Sequence, residues 1–204
     1  MYCPYCDCQF NAKIYKCPIC RVTMKGRSPE KQEKNATRLT FDRLREIISG
    51  DGDKLKVSVK AVEVAMERKM GFPYQGYGYA WVQRMEGIVE EIPVILETTA
   101  VGREKAYGFP YQGYGYAWAQ AMKGSIGGVE FTLNAVKVLK EKEWSFPYFG
   151  LGYAWIDEME GMIAKIYRIE FKTVHAVKYR ELRFPFMGYG YAWSNKAELT
   201  FNLP

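Results

Sequence analysis

Beyond residue 50 the chain repeats one pattern of apolar and polar positions four times. Val57, Val59 and Ala61 alternate with polar neighbours in the first copy. Val94, Leu96 and Thr98 match them in the second, Phe131, Leu133 and Ala135 in the third, and Ile169, Phe171 and Thr173 in the fourth. A period of two predicts a strand with one buried face. The apolar phase then slips by one residue, carried on by Val62 and Val64, Thr99 and Val101, and Val136 and Val138. A slip at the same place in several copies predicts a β-bulge that bends the strand. An aromatic segment follows: FPYQGYGYAW at 72–81 and 109–118, FPYFGLGYAW at 146–155 and FPFMGYGYAW at 184–193, at spacings of 37, 37 and 38 residues. Past it runs a second apolar stretch, in which Trp81, Met85 and Gly87 match Trp118, Met122 and Gly124, then Trp155, Met159 and Gly161. The fourth copy departs, with Ala197 and Leu199 after Trp193, as a closing strand would.

Each copy therefore reads as two long strands joined by the aromatic loop, and four copies give eight strands. A propeller blade of four strands does not fit into 37 residues that include a ten-residue loop. Isolated hairpins are marginal, and an open sheet leaves edges. The predicted fold is thus mainly β: a pseudo-fourfold repeat of β-hairpins at 51–204 forming a closed eight-stranded antiparallel barrel. The last strand, 191–203, pairs back with the first, near 54–66. Another all-β ring or a sandwich is the alternative.

The residues before the repeats differ in character. Residues 28–36 are polar and charged and read as a linker. Residues 37–50 suit a short amphipathic helix, with Thr40 as N-cap, Phe41, Leu44, Ile47 and Ile48 at helical spacing, and Gly50 as a stop. The competing reading starts a strand at 38–43, because Leu-Thr-Phe recurs near the C-terminus.

Composition adds two facts. Aromatic residues make up 16% of the chain, sixteen of them Tyr, whose apolar ring and polar tip suit both cores near a surface and contact patches. The net charge of +6 is uneven. Residues 1–50 hold ten Lys/Arg against five Asp/Glu, a balance of +5, whereas residues 51–204 hold nineteen against eighteen. Basicity belongs to the N-terminal arm and permits an acidic partner. No apolar run reaches the ~18–20 residues of a spanning helix, and the N-terminus lacks the apolar stretch of a signal peptide. These features predict a soluble cytoplasmic protein with no membrane partner.

Cys3, Cys6, Cys17 and Cys20 form C-x2-C-x10-C-x2-C. Two such pairs suffice for a tetrahedral site of four thiolates, which suits Zn²⁺. Within an N-terminal domain at 1–27, residues 1–26 resemble zinc ribbons and, less closely, rubredoxin. That resemblance implies a structural Zn²⁺ with no open coordination position, the metal supplying most of the unit's folding free energy. Iron in place of zinc, or a pair of disulfides in an oxidising compartment, are the alternatives. Cys8 is a bystander or a substitute for Cys6. Zinc ribbons often dock on nucleic acid or a larger protein, and Lys13, Lys16, Arg21, Lys25 and Arg27 are the available contacts. A passive cap on the N-terminus explains the segment equally well.

The aromatic loop carries the second candidate surface. The Tyr79 and Trp81 columns are invariant among the copies and read as core. The Tyr77 column, with Tyr114 and Tyr189, changes to Leu151 in the third copy and stays open as a stacking surface. Four residues before each loop Phe stands a cation: Arg68, Lys105, Lys142 and Arg180. Arg103, Lys140 and Lys178 stand two residues earlier, where the first copy has Met66. In a closed barrel these would ring the loop end and could hold phosphates beside aromatic platforms. Glu67, Glu104 and Glu141 adjoin them, and alternating charge on a strand also serves solubility alone.

Nothing points to catalysis. His175, the sole histidine, stands where other copies have Glu63, Ala100 and Lys137. Phosphate-loop, nucleophile-elbow and Cys–His patterns are missing. The expectation is a non-enzymatic zinc-containing module docking on nucleic acid or a nucleoprotein complex. A structural or assembly protein using the aromatic loops for protein contacts or self-assembly, and a multivalent glycan-binding module, are the alternatives.

Overall fold

A computed structural model describes residue 46 and residues 54–71, 75–108, 112–145, 149–163, 167–183 and 187–202. The chain divides into two units, Met1–Leu44 and Arg45–Pro204, and the description concerns the second. The four cysteines, the basic arm, the linker and the loop prolines lie outside the described residues. Of the segment 37–50 only Glu46 is described, and it is helical and exposed.

Eight antiparallel strands run in chain order: β1 (Lys54–Gly71), β2 (Gln75–Val89), β3 (Ile92–Gly108), β4 (Gln112–Ile126), β5 (Val129–Ser145), β6 (Phe149–Ile163), β7 (Tyr167–Arg183) and β8 (Met187–Asn202). Each pairs with its sequence neighbours, and β8 pairs with β1 from Lys54↔Asn202 to Lys60↔Lys196, so the barrel is closed as the repeat predicts.

The predicted bulges are present in all four odd strands. The register shifts at Ala61/Glu63 in β1, Thr98/Ala100 in β3, Ala135/Lys137 in β5 and Thr173/His175 in β7. The skipped residues Val62, Thr99, Val136 and Val174 are exposed. These bulges divide the molecule into two levels. Below them every strand is paired on both sides, and Val59, Leu96, Leu133, Ile169, Met85, Met122, Met159 and Leu199 are completely buried. Phe131 and Phe201 meet edge to face across this interior, their ring centres 6.1 Å apart. Burying each such side chain stabilises the fold by about 1.5–3 kcal/mol. The alternate residues, among them Lys56, Lys60, Glu97, Lys123 and Glu130, face outward. That is the reverse of the apolar-out, polar-in alternation of a membrane-spanning barrel.

Above the bulges the ladder between hairpins ends. β2 and β3 pair only through residues 84–89 and 92–97, the β4–β5 and β6–β7 junctions are equally short, and β8–β1 is one pair longer. Each hairpin continues alone to its loop, forming a crown of four two-stranded arms. The hydroxyl of Thr98 donates to the Val82 carbonyl at 2.6 Å, and Ser194 donates to the Ile156 carbonyl at 2.9 Å, closing two junctions where the ladder stops. Two connections at the opposite end, after β2 and after β4, are two-residue turns with positive φ. Gly127 (54°) and Gly128 (87°) meet that demand without strain, whereas Glu90 (42°) and Glu91 (69°) do not.

Candidate partner-binding surface at the loop end

The even strands form the inside of the crown. Their glycines bring four backbones together around the pseudo-fourfold axis. A Cβ added to Gly115 would sit 2.7 Å from the Gly78 carbonyl oxygen, one on Gly152 2.6 Å from that of Gly115, and one on Gly190 2.5 Å from that of Gly152. Gly78 meets Gly190 in the same way. No side chain fits there, which explains the second glycine of every loop. Below this ring Ala80, Ala119, Ala154 and Ala192 fill the axis with the four tryptophans, leaving no room for a water molecule.

Burial on both faces makes the aromatic columns core. Tyr79, Tyr116, Tyr153 and Tyr191 are buried, and each neighbouring pair of arms clamps a cluster such as Tyr77, Tyr79, Trp81 and Ala117. Trp81 and Trp118 donate their indole N–H to Gln83 and Gln120, at 3.1 and 2.8 Å. Burial raises the pKa of Tyr77, Tyr79, Tyr114, Tyr116 and Tyr191. Tyr153 is pushed up to about 12 by burial, helped by its hydrogen bond to Glu143 at 3.0 Å.

Tyr77, Tyr114 and Tyr189, the column left open as a stacking surface, belong to the same interior. They are 2%, 3% and 3% exposed. Gly113 lies against the Tyr77 ring and Gly150 against the Tyr114 ring, so neighbouring arms already cover their faces. An incoming base or sugar has no access to these rings in this arrangement. The variation to Leu151 is a variation in packing, Leu151 being fully buried.

The cations do ring the loop end, but they are committed. Glu67, Glu104 and Glu141 of one arm pair with Arg103, Lys140 and Lys178 of the next, Arg103–Glu67 at 2.7 Å and Lys140–Glu104 at 2.5 Å. The same three cations lie over Trp81, Trp118 and Trp155, 5.2, 5.0 and 5.2 Å from the ring centres. Arg180 faces Glu143 at 3.5 Å, and Arg68 binds Glu181 at 2.7 Å. Lys105 sits over the Tyr77 ring and Lys142 over Trp144. The Arg68 pKa is raised, chiefly by donating to the Tyr191 hydroxyl. That of Glu181 is lowered, chiefly by its bond from Arg183. Five of the seven cations therefore have a carboxylate partner, and the ring offers little uncompensated positive charge.

Two features escape a reading of the sequence alone. Two residues before each loop Phe stands a large apolar residue that the crown leaves exposed: Met70 (68%), Tyr107 (69%), Trp144 (51%) and Leu182 (51%). Tyr107 and Trp144 rest edge-on against Tyr77 and Tyr114 of the preceding arm. The sequence signal was present, since the column is apolar in every copy, but each residue has a different identity. Secondly, the junction of the fourth and first arms opens into a cleft of about 620 Å³ lined by Met66, Arg68, Tyr179, Glu181, Tyr191 and Trp193.

His175 is an exposed residue of a bulge. Among the described residues no group of three or more potential metal ligands gathers, and no helix is long and apolar enough to cross a membrane. Compared with family models, curated proteins and solved structures, the chain matches none.

Proposed function

We propose that this protein is a non-enzymatic binding module of a nucleoprotein assembly, its crown docking on a protein component. The observation that carries this reading is the exposed apolar column Met70, Tyr107, Trp144 and Leu182, set among carboxylate-paired cations. Aromatic and Met side chains ringed by balanced charge match the make-up of protein interfaces. A phosphate backbone is held instead by cations that release counterions on binding, and here five of the seven cations already face a carboxylate. The basic residues of the N-terminal arm, Lys13, Lys16, Arg21, Lys25 and Arg27, supply the nucleic-acid contact in this reading. Cys3, Cys6, Cys17 and Cys20 hold a structural Zn²⁺ that orders the arm.

Site-specific photocrosslinking in cells tests the docking face. A crosslinker at position 144 should capture a protein, while one at Ile88, exposed near the opposite turn, should not. Equal capture at both positions, RNA or DNA as the main adduct at 144, or no adduct there would overturn it. Sedimentation of the purified chain separates self-assembly from a foreign partner. For the arm, affinity for nucleic acid should fall steeply between 50 and 200 mM salt, by the order of ~10³-fold if about six phosphates are contacted.

A further inference from the structure

Three of the four junctions between arms share one arrangement. A cation from one arm covers the tryptophan of the arm before it and pairs with a glutamate of that arm. The sets are Arg103 with Trp81 and Glu67, Lys140 with Trp118 and Glu104, and Lys178 with Trp155 and Glu141. The fourth junction breaks the pattern at both ends. Met66 stands at the cation's position and Tyr179 at the glutamate's. Among the described residues no cation covers Trp193, and the space becomes the cleft of about 620 Å³.

Its other contacts repeat those between the third and fourth arms; where Glu143 and Glu181 stand, the first and second copies have Lys69 and Ala106. Arg68 binds Glu181 as Arg180 binds Glu143, and Tyr191 approaches Glu181 at 3.5 Å as Tyr153 approaches Glu143 at 3.0 Å. The departure is therefore local and charge-neutral, one ion pair replaced by Met and Tyr. Glu181 accepts from both Arg68 and Arg183, so it does not demand a further partner. Tyr179 lies nearly parallel to Tyr191 at 5.9 Å, and both Met66 and Tyr179 are about half exposed.

We infer that this junction is a ligand site for a methylated ammonium group, seated on Trp193 beside Tyr179 and Met66, with Glu181 neutralising the Arg68 that shares the cleft. The three sibling junctions show what the face of this tryptophan holds: a cation about 5 Å from the ring centre. They also show what a primary ammonium or guanidinium needs there, a carboxylate to accept its N–H groups, and Tyr179 has removed that carboxylate. A trimethylated nitrogen keeps its charge, donates no hydrogen bond and is weakly hydrated, so an aromatic wall and a thioether suffice. The group can come from a free choline-like molecule or from a trimethylated lysine of a protein. The site goes beyond the docking reading above and does not depend on it.

The test uses the full chain and follows the Trp193 indole N–H by NMR, assigned with W193F. Choline and a trimethyl-lysine peptide are titrated beside 3,3-dimethylbutanol (the uncharged isostere of choline) and the unmodified lysine peptide. The methylated cations should bind at least about tenfold more tightly than either control. Tighter binding of choline points to a free ligand, and of the peptide to a modified protein. Met66→Lys puts back the cation of the sibling junctions, though not their glutamate, and should abolish binding while the protein stays folded; Met66→Leu should retain it. Equal affinity for the uncharged isostere, preference for the primary amine, tighter binding of benzoate or of a monosaccharide, or no response to either cation would overturn the assignment. So would full binding by folded Met66→Lys.

Discussion

The barrel wall and the crown are made from the same eight strands, yet they are held together differently. In the wall each strand satisfies its backbone through ladders on both sides, and the side chains inside need only be apolar and of suitable size. In the crown the ladder between hairpins is gone. Four arms cohere through direct backbone contact at Gly78, Gly115, Gly152 and Gly190, aromatic rings clamped between arms, and cations over tryptophans. The wall should therefore tolerate changes of identity that keep volume, whereas the crown should tolerate almost none at its glycines. A sheet edge can thus be hidden by packing as well as by pairing.

The sharpest way to break this contrast is Gly152→Val. Its Cβ would meet the Gly115 carbonyl oxygen, a backbone atom that cannot swing away. A loss of more than about 4 kcal/mol is expected, at the top of the range for single changes. Hydrogen exchange should show the arms opening before the wall; uniform protection would mean that the two levels are one cooperative unit. Leu133→Ala, at a fully buried wall position, should cost about 2–5 kcal/mol in urea unfolding, whereas Leu133→Met should cost under about 1.5. Thr98→Val keeps the shape but leaves the Val82 carbonyl without its donor, for a loss of about 1–3 kcal/mol. Lys178→Met, which gives the third junction the methionine of the fourth, removes an exposed pair and should shift stability by no more than about 1 kcal/mol.

Six tyrosines of the crown, Tyr77, Tyr79, Tyr114, Tyr116, Tyr153 and Tyr191, give the comparison a pH signature. Their pKa values are raised in the folded state, Tyr153 to about 12, because burial disfavours the phenolate. A raised folded pKa means that the contribution is fully present below the unfolded value near 10 and is lost as pH rises through about 12. Absorbance of phenolate at 295 nm should therefore appear together with loss of near-UV circular dichroism, between roughly pH 10 and 12. Titration of these six tyrosines near pH 10 with the fold intact would show that the crown is open to water.

The wall was legible in the sequence because alternation is a local signal. Val57, Leu96, Phe131 and Ile169 announce their burial by period alone, and the slip at Val62, Thr99 and Val136 announces the bulge. The crown was less so, because what covers Tyr77 or Tyr114 is a glycine 36 residues away on another arm. Period-two reasoning assigns one face of such a strand to solvent, and only the convergence of four arms buries both. The cation column was visible, but its carboxylate partners lie one repeat along the chain, so its charge looked more available than it is. The fourth junction was in plain sight as Met66 among three cations. Its meaning required knowing that Trp81, Trp118 and Trp155 sit beneath those cations.

One consequence of the split ladder concerns aggregation. Above the bulges each odd strand is paired on one side alone among the described residues, so four strand edges run along the outside of the crown. Such edges are templates for cross-β growth unless something makes a second strand unwelcome there. Arg68, Lys105, Lys142 and Arg180, with their flanking glutamates, stand on those same strands as gatekeepers beside Met70, Tyr107, Trp144 and Leu182. The basic column that looks like a contact surface thus also makes these edges unwelcoming to a second strand.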